Sequence, residues 1–177
     1  MGEVGSGKTL LTTRLLLDAL NEGFKAQVTV IDLAPKALTI EGKVIGGKIK
    51  ELFQIPKDLR YIASDKIRAP RLEGKSKKDV IRYAYENLKV IEPMFEDFEK
   101  SPTDVLFVND LSIYLHMGDV LRLRSVLSKA RTVIANAYEG KRLQADKGTG
   151  ISQREAKGLN DVKGWMDIII RLDRSSL

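Results

Sequence analysis

The chain has no cysteine. That excludes disulfides, thiolate metal sites and cysteine nucleophiles. It has one histidine, His116. A single histidine builds no zinc site without other ligands, so His116 reads as structural or exposed. Aromatics are scarce, with five Tyr, five Phe and one Trp to stack on bases. No apolar run approaches the roughly 20 residues that a membrane span needs. Position 1 leads straight into a glycine-rich turn with no visible signal peptide, so the expected location is cytoplasmic. No repeat, linker or low-complexity tract breaks the 177 residues, which are read as one domain over 1–177.

Hydrophobic residues make up 43% of the chain, enough for a packed core and against disorder. The net charge is +6. Such a balance suits nucleic acid or an anionic membrane. Here the Lys and Arg residues are scattered, and few aromatics accompany them. The reading is a surface rich in Lys, Arg and Glu, as in many thermophile proteins, with nucleic acid disfavoured as a partner.

The informative stretch is the first nine residues. Gly2-Glu3-Val4-Gly5-Ser6-Gly7-Lys8-Thr9 has the form G-x-x-x-x-G-K-[ST]. Glycines let successive backbone N–H groups turn toward a phosphate without side-chain clashes. Lys8 would set a cation on the β- and γ-phosphates, and Thr9 would offer a hydroxyl to Mg²⁺. Residues 9–21 read as a helix whose positive end faces the anion. The motif resembles the Walker A loop of P-loop NTPases. In that resemblance Gly2, Gly5, Ser6, Gly7, Lys8 and Thr9 bind nucleotide, Lys8 also acts in catalysis, and Thr9 holds the metal.

Behind the loop the chain alternates. Residues 26–31 (AQVTVI), 59–63 (LRYIA), 104–110 (DVLFVND), 132–137 (TVIANA) and 166–172 (MDIIIRL) read as strands. Residues 39–50 contain Gly42, Gly46 and Gly47 and read as an irregular loop. Helices are expected from Ser76 to about Lys100, over 119–130, and from Ser152 to about Lys163. Ser76 with Asp79, and Ser152 with Glu155, look like capping boxes. Pro93 should kink or divide the longest helix. The alternation implies a three-layer α/β fold with a mainly parallel sheet. The loop normally follows a buried strand, and only Met1 precedes it. The sheet is therefore expected to lack that strand.

Ligands of such sheets bind at the carboxyl ends of strands, here Asp32, Asp110 and Asn136. Asp110 follows Val105–Val108 in the manner of a Walker B aspartate and would hold Mg²⁺ opposite Thr9. Asp32-Leu33-Ala34-Pro35 resembles the aspartate–proline strand end of the SIMIBI class, which includes MinD/ParA ATPases, GTPase metallochaperones and dethiobiotin-synthetase-like enzymes. The resemblance gives Asp32 a catalytic role, positioning the attacking water or nucleophile. Ala34 replaces the class's second acid, and its doubled P-loop lysine is missing. The D-x-x-G switch of GTPases is also missing after Asp110. Asn136-Ala137-Tyr138-Glu139 stands where GTPases read guanine with N-K-x-D, so Asn136 would contact the base.

Two functions are expected. One is Mg²⁺-dependent hydrolysis of ATP or GTP as a conformational switch, acting on a protein partner and often as a homodimer. The other is a small-molecule kinase or ATP-dependent ligase. It would hold an anionic substrate near Gly46-Gly47-Lys48 and the basic stretch from Arg68 to Arg71. A nucleic-acid-dependent ATPase has only the net charge in its favour.

Overall fold

The computed structural model describes residues 1–40, 43–143 and 145–173. Helix α1 (Lys8–Asn21) leads to β1 (Val28–Asp32), then a hairpin of β2 (Leu38–Ile40) and β3 (Lys43–Ile45), and then β4 (Arg60–Ala63). Next come α2 (Pro70–Glu73), α3 (Lys77–Lys100), β5 (Val105–Asn109), α4 (Ser112–Leu115), α5 (Val120–Leu127), β6 (Thr132–Ala135) and α6 (Ile151–Lys163). The main sheet has the order β4-β1-β5-β6, and every pairing is parallel. Register aligns Asp32 with Asn109 and with Ala63, so the strands end together at one edge of the sheet.

The strands are β-branched and apolar because both faces are covered. Val28, Val30 and Phe107 pack with Leu16 of α1 and with Leu59. Ile31, Leu106 and Val108 face the other way, in one cluster with Phe95 and Phe98 of α3 and Leu159 of α6. This alternation puts helices on two sides and gives the three-layer α/β arrangement. Each fully buried Val, Leu or Phe contributes about 1.5–3 kcal/mol by leaving water. Among the described residues no helix is long and apolar enough to cross a membrane.

Several expectations are corrected. Residues 39–50 are not simply irregular: part of the stretch forms the β2–β3 hairpin, and Gly46 and Gly47 follow it with φ of 73° and 120°. Gly42 lies outside the described residues. Pro93 does not divide α3, whose Ser76–Asp79 capping box is present with bonds of 3.1 and 3.0 Å. The expected Ser152–Glu155 box does not form. Gly150 caps α6 at φ 80°, with no side-chain bond, and Glu155 is drawn elsewhere.

Residues 166–172 do not form the expected strand. Only Leu172 bridges, and it bridges to Gly2. Gly2 also pairs in parallel with Tyr138, just past β6. A cavity of about 410 Å³ lies beside β6, lined by Leu11, Leu15, Val133, Ala135, Ile168 and Ile170. Among the described residues none pairs with 166–171 as a strand, and Ile168 stays 80% exposed.

Candidate functional site

The turn before α1 depends on close approach. Glu139 donates its N–H to the Gly2 carbonyl at 3.0 Å, and Leu172 donates to the Met1 carbonyl at 2.8 Å. A Cβ on Gly2 would overlap the Leu172 carbonyl oxygen, so only glycine fits. Gly7, the N-cap of α1, sits at φ 81°, a region open to glycine at no steric cost. No side chain caps α1. Its first-turn N–H groups are thus left for another acceptor.

Lys8 Nζ donates to the Glu3 carbonyl at 2.7 Å and lies 5.9 Å from the centre of the Tyr138 ring. Burial lowers the Lys8 pKa, and the charges of Asp110 and Glu3 oppose that shift. The Glu3 carboxylate accepts N–H groups of Val4 at 2.9 Å and Lys141 at 2.8 Å, tying the segment after β6 onto the turn. Burial pushes the Glu3 pKa up, but these N–H donors outweigh it and hold the carboxyl below its ordinary value.

These groups border a cavity of about 320 Å³. Gly5, Gly7, Lys8, Thr9, Asp110 and Asn136 all line it, so the fold brings most of the expected site residues together. Leu38, Ile45 and Gly46, from the hairpin and the turn after it, line it as well. Ser6 is buried with an unpartnered hydroxyl and does not line the cavity. Gly2 anchors the turn from below.

Asp110 stands just past β5 at φ 61°. Its amide donates to Asn136 Oδ1 at 3.0 Å. Its Oδ1 is buried without a hydrogen-bond partner. Burial raises the Asp110 pKa; Lys8 opposes the rise and Glu155 adds to it. A buried carboxylate oxygen with no donor, on the cavity that Thr9 also lines, suits a hard cation. Mg²⁺ uses one or two protein carboxylates and takes its other oxygens from water and phosphate. Among the described residues no cluster of three or more acidic or histidine side chains could hold a metal by itself.

Two expected site residues have other duties. Asp32 is fully buried and does not line the cavity. Its Oδ1 accepts Asn109 Nδ2 at 2.8 Å and the Ala34 amide at 3.1 Å. Its Oδ2 accepts the Ile49 amide at 2.7 Å and the Tyr61 hydroxyl. With four donors on two oxygens, Asp32 is a strut between β1, β4, β5 and the segment at Ile49. The catalytic role expected of Asp32 would need one of these donors to be released. Asn136 donates from Nδ2 to Thr12 Oγ1 and Asn109 Oδ1, both at 2.8 Å. With its Oδ1 on the Asp110 amide, both ends of its side chain are hydrogen-bonded within the protein, on the cavity that it also lines.

The basic patch disperses. Lys48 is fully buried and donates to the Ala34 carbonyl. Burial lowers its pKa, against the pull of Asp32. Arg68 lies 3.7 Å from the centre of the Tyr83 ring and pairs with Glu73 at 2.8 Å. Only Arg71 reaches the cavity. It pairs with Glu155 at 2.7 Å, and Glu155 also meets His116 Nε2 at 2.8 Å. Sequence reasoning missed this group. Arg71 was one residue of a basic run, Glu155 looked like a helix cap, and no local pattern joins positions so far apart. Comparison with protein-family models, with curated proteins and with solved structures finds no match to this chain.

Proposed function

We propose that the chain binds a nucleoside triphosphate with Mg²⁺ and hydrolyses it as a conformational switch. The observation that carries this reading is one cavity with three complementary walls. It has an uncapped helix N-terminus behind Gly7, the cation of Lys8, and a buried carboxylate oxygen on Asp110 with no donor. An anion with a bound cation answers all three. The helix end and Lys8 would take phosphate oxygens. Mg²⁺, held by Thr9 and Asp110, would neutralise the charge that develops on the transferring phosphoryl group. Lys8 now bonded to the Glu3 carbonyl would exchange that acceptor for a phosphate oxygen. Tyr138 walls the cavity, and Leu143 donates its amide to the Tyr138 hydroxyl at 2.8 Å.

A small-molecule kinase remains the second reading, favoured by the apolar hairpin wall of Leu38 and Ile45. The anionic acceptor that it called for has weak support. Lys48 and Arg68 are engaged elsewhere, and Arg71 alone is left at the cavity.

The test is calorimetric titration of the chain with ATP and GTP, each with and without Mg²⁺. Micromolar binding that needs Mg²⁺ and is lost in Lys8→Ala is expected. Binding that survives Lys8→Ala sinks the assignment. Phosphate release without any added acceptor favours the switch, whereas a phosphorylated metabolite as product favours the kinase.

A further inference from the structure

The wall of the cavity holds a second cation. The Arg71 side chain is only 7% exposed, yet it borders the same 320 Å³ space as Lys8. Lys8 Nζ and Arg71 Cζ lie 5.9 and 5.3 Å from the centre of one ring, that of Tyr138. A guanidinium has five N–H donors. Two of Arg71's are used, by Nη2 on Glu155 at 2.7 Å and Nη1 on Ser152 Oγ at 3.3 Å. The other three have no hydrogen-bond partner among the described residues. Burying a cation beside a cavity with most of its donors unspent is costly unless an acceptor arrives.

Glu155 is the resting partner. It is buried, and a single oxygen, Oε2, meets both Arg71 and His116. His116 is itself buried, and its Nδ1 has no partner. Arg71 is thereby held by α6, through Glu155 and Ser152, while it borders the cavity that Lys8 and Thr9 also line. The planar fork suits bidentate contact with phosphate oxygens, which a point-charge lysine cannot make.

We propose that Arg71 is a ligand of the terminal phosphate of the bound nucleotide, aimed by Glu155, so that it distinguishes triphosphate from diphosphate. This rests on the nucleotide reading above and deepens it. Lys8 and the α1 N-terminus hold phosphates of either nucleotide, Lys8 reaching the terminal one as well. Arg71, which borders the same cavity beside Tyr138, contacts only the phosphate that hydrolysis removes. Glu155 places a negative charge near that phosphate, so it orients the arginine while weakening the grip on the triphosphate. Loss of the terminal phosphate returns Arg71 wholly to Glu155 on α6.

The experiment is calorimetric titration of ATP and ADP, with Mg²⁺, into the wild-type chain, Arg71→Ala, Arg71→Lys and Glu155→Gln. Melting temperatures are recorded for each. For Arg71→Ala, ATP affinity falls about tenfold or more, as loss of a charged hydrogen bond gives. ADP affinity stays within about twofold, and Arg71→Lys falls between. Glu155→Gln moves the opposite way, raising the ATP-over-ADP ratio about threefold or more, because like charge is removed. A merely structural salt bridge would move both nucleotides together. Equal losses for ATP and ADP in Arg71→Ala, or no loss, overturn the proposal. Should Arg71→Ala fail to fold, an unchanged ratio in Glu155→Gln overturns it alone. A wild-type chain that binds neither nucleotide overturns the nucleotide reading itself, and Arg71's role with it.

Discussion

The side-chain oxygen of Asn136 accepts the backbone N–H of Asp110 at 3.0 Å, while the Asn136 carbonyl accepts the next amide, that of Leu111, at 2.9 Å. One residue past the end of β6 thus grips both peptide groups around a non-glycine residue at φ 61°. A left-handed aspartate costs about 1–2 kcal/mol relative to an ordinary conformation. The paired bonds help to hold it there. The result aims a carboxylate into the cavity from a position where a continuing strand would not.

Asn136→Ala removes the side-chain half of this grip, leaving the carbonyl bond to Leu111, and removes the bonds to Thr12 and Asn109. It strands buried donors and acceptors, each worth about 1–3 kcal/mol. The expected loss is about 2–4 kcal/mol of stability, read as a lower midpoint in urea. The ratio of ATP to GTP affinity should not move in the folded fraction. A changed ratio at unchanged stability would restore Asn136 as a base-reading residue.

Asp110→Asn should stabilise the free protein and abolish its Mg²⁺ response. Burial holds the Asp110 pKa above its unfolded value. A raised carboxyl is destabilising when ionised, so its cost is absent below the unfolded pKa and fully present above the folded one. At neutral pH the neutral amide escapes that cost, and asparagine tolerates positive φ. A rise in melting temperature of about 2–4 °C, what about 1 kcal/mol gives in a chain of this size, is expected at pH 7. The gain should shrink as the pH is lowered and Asp110 itself becomes neutral. A fall in stability at neutral pH would contradict the burial argument.

Asp32→Asn separates a strut from a catalyst. An amide offers one acceptor oxygen where the carboxylate offers two, and its NH₂ would confront the Ile49 amide or the Asn109 NH₂. The expected cost is about 2–4 kcal/mol, from leaving buried donors unpaired. Phosphate release per folded molecule should stay within about threefold of wild type. A loss of about a hundredfold or more, typical of a removed general base, would return Asp32 to the chemistry.

Gly2→Ala tests how the turn is anchored. Its new methyl would run into the Leu172 carbonyl and the Ser6 hydroxyl, neither of which lies at the end of a long flexible side chain. Overpacking of this kind costs about 1–3 kcal/mol. Nucleotide affinity should fall together with stability. A variant that melts and binds like the wild type would show that the bridge to residue 172 does not support the site.

Patterns with short periods were legible in the chain. The β-branched runs at β1, β5 and β6 marked a buried sheet, and the Ser76–Asp79 box marked the start of α3. Gly7 and Lys8 marked the turn that leads into the first helix. Positions were also legible: Asp110 and Asn136 were rightly placed just past strand ends. The hydrogen-bond partners that each side chain meets there were not. Asp32 and Asn136 share one kind of strand-end setting with Asp110, and only the count of donors around each separates a strut from an open carboxylate. Residues 166–172 have a strand's composition, but a strand needs neighbours, and among the described residues only Leu172 finds one.

By itself the sequence determined the alternation of helix and strand and the glycine–lysine turn, because propensity, periodicity and φ preference act within a few residues. Tertiary structure decided which polar groups stay unspent. It closed Asp32 with four donors, left Asp110 Oδ1 with none, and brought Arg71 beside Glu155 and His116 from distant segments. Hydrogen bonding saturates, so a side chain's freedom to act depends on which partners the fold has already supplied.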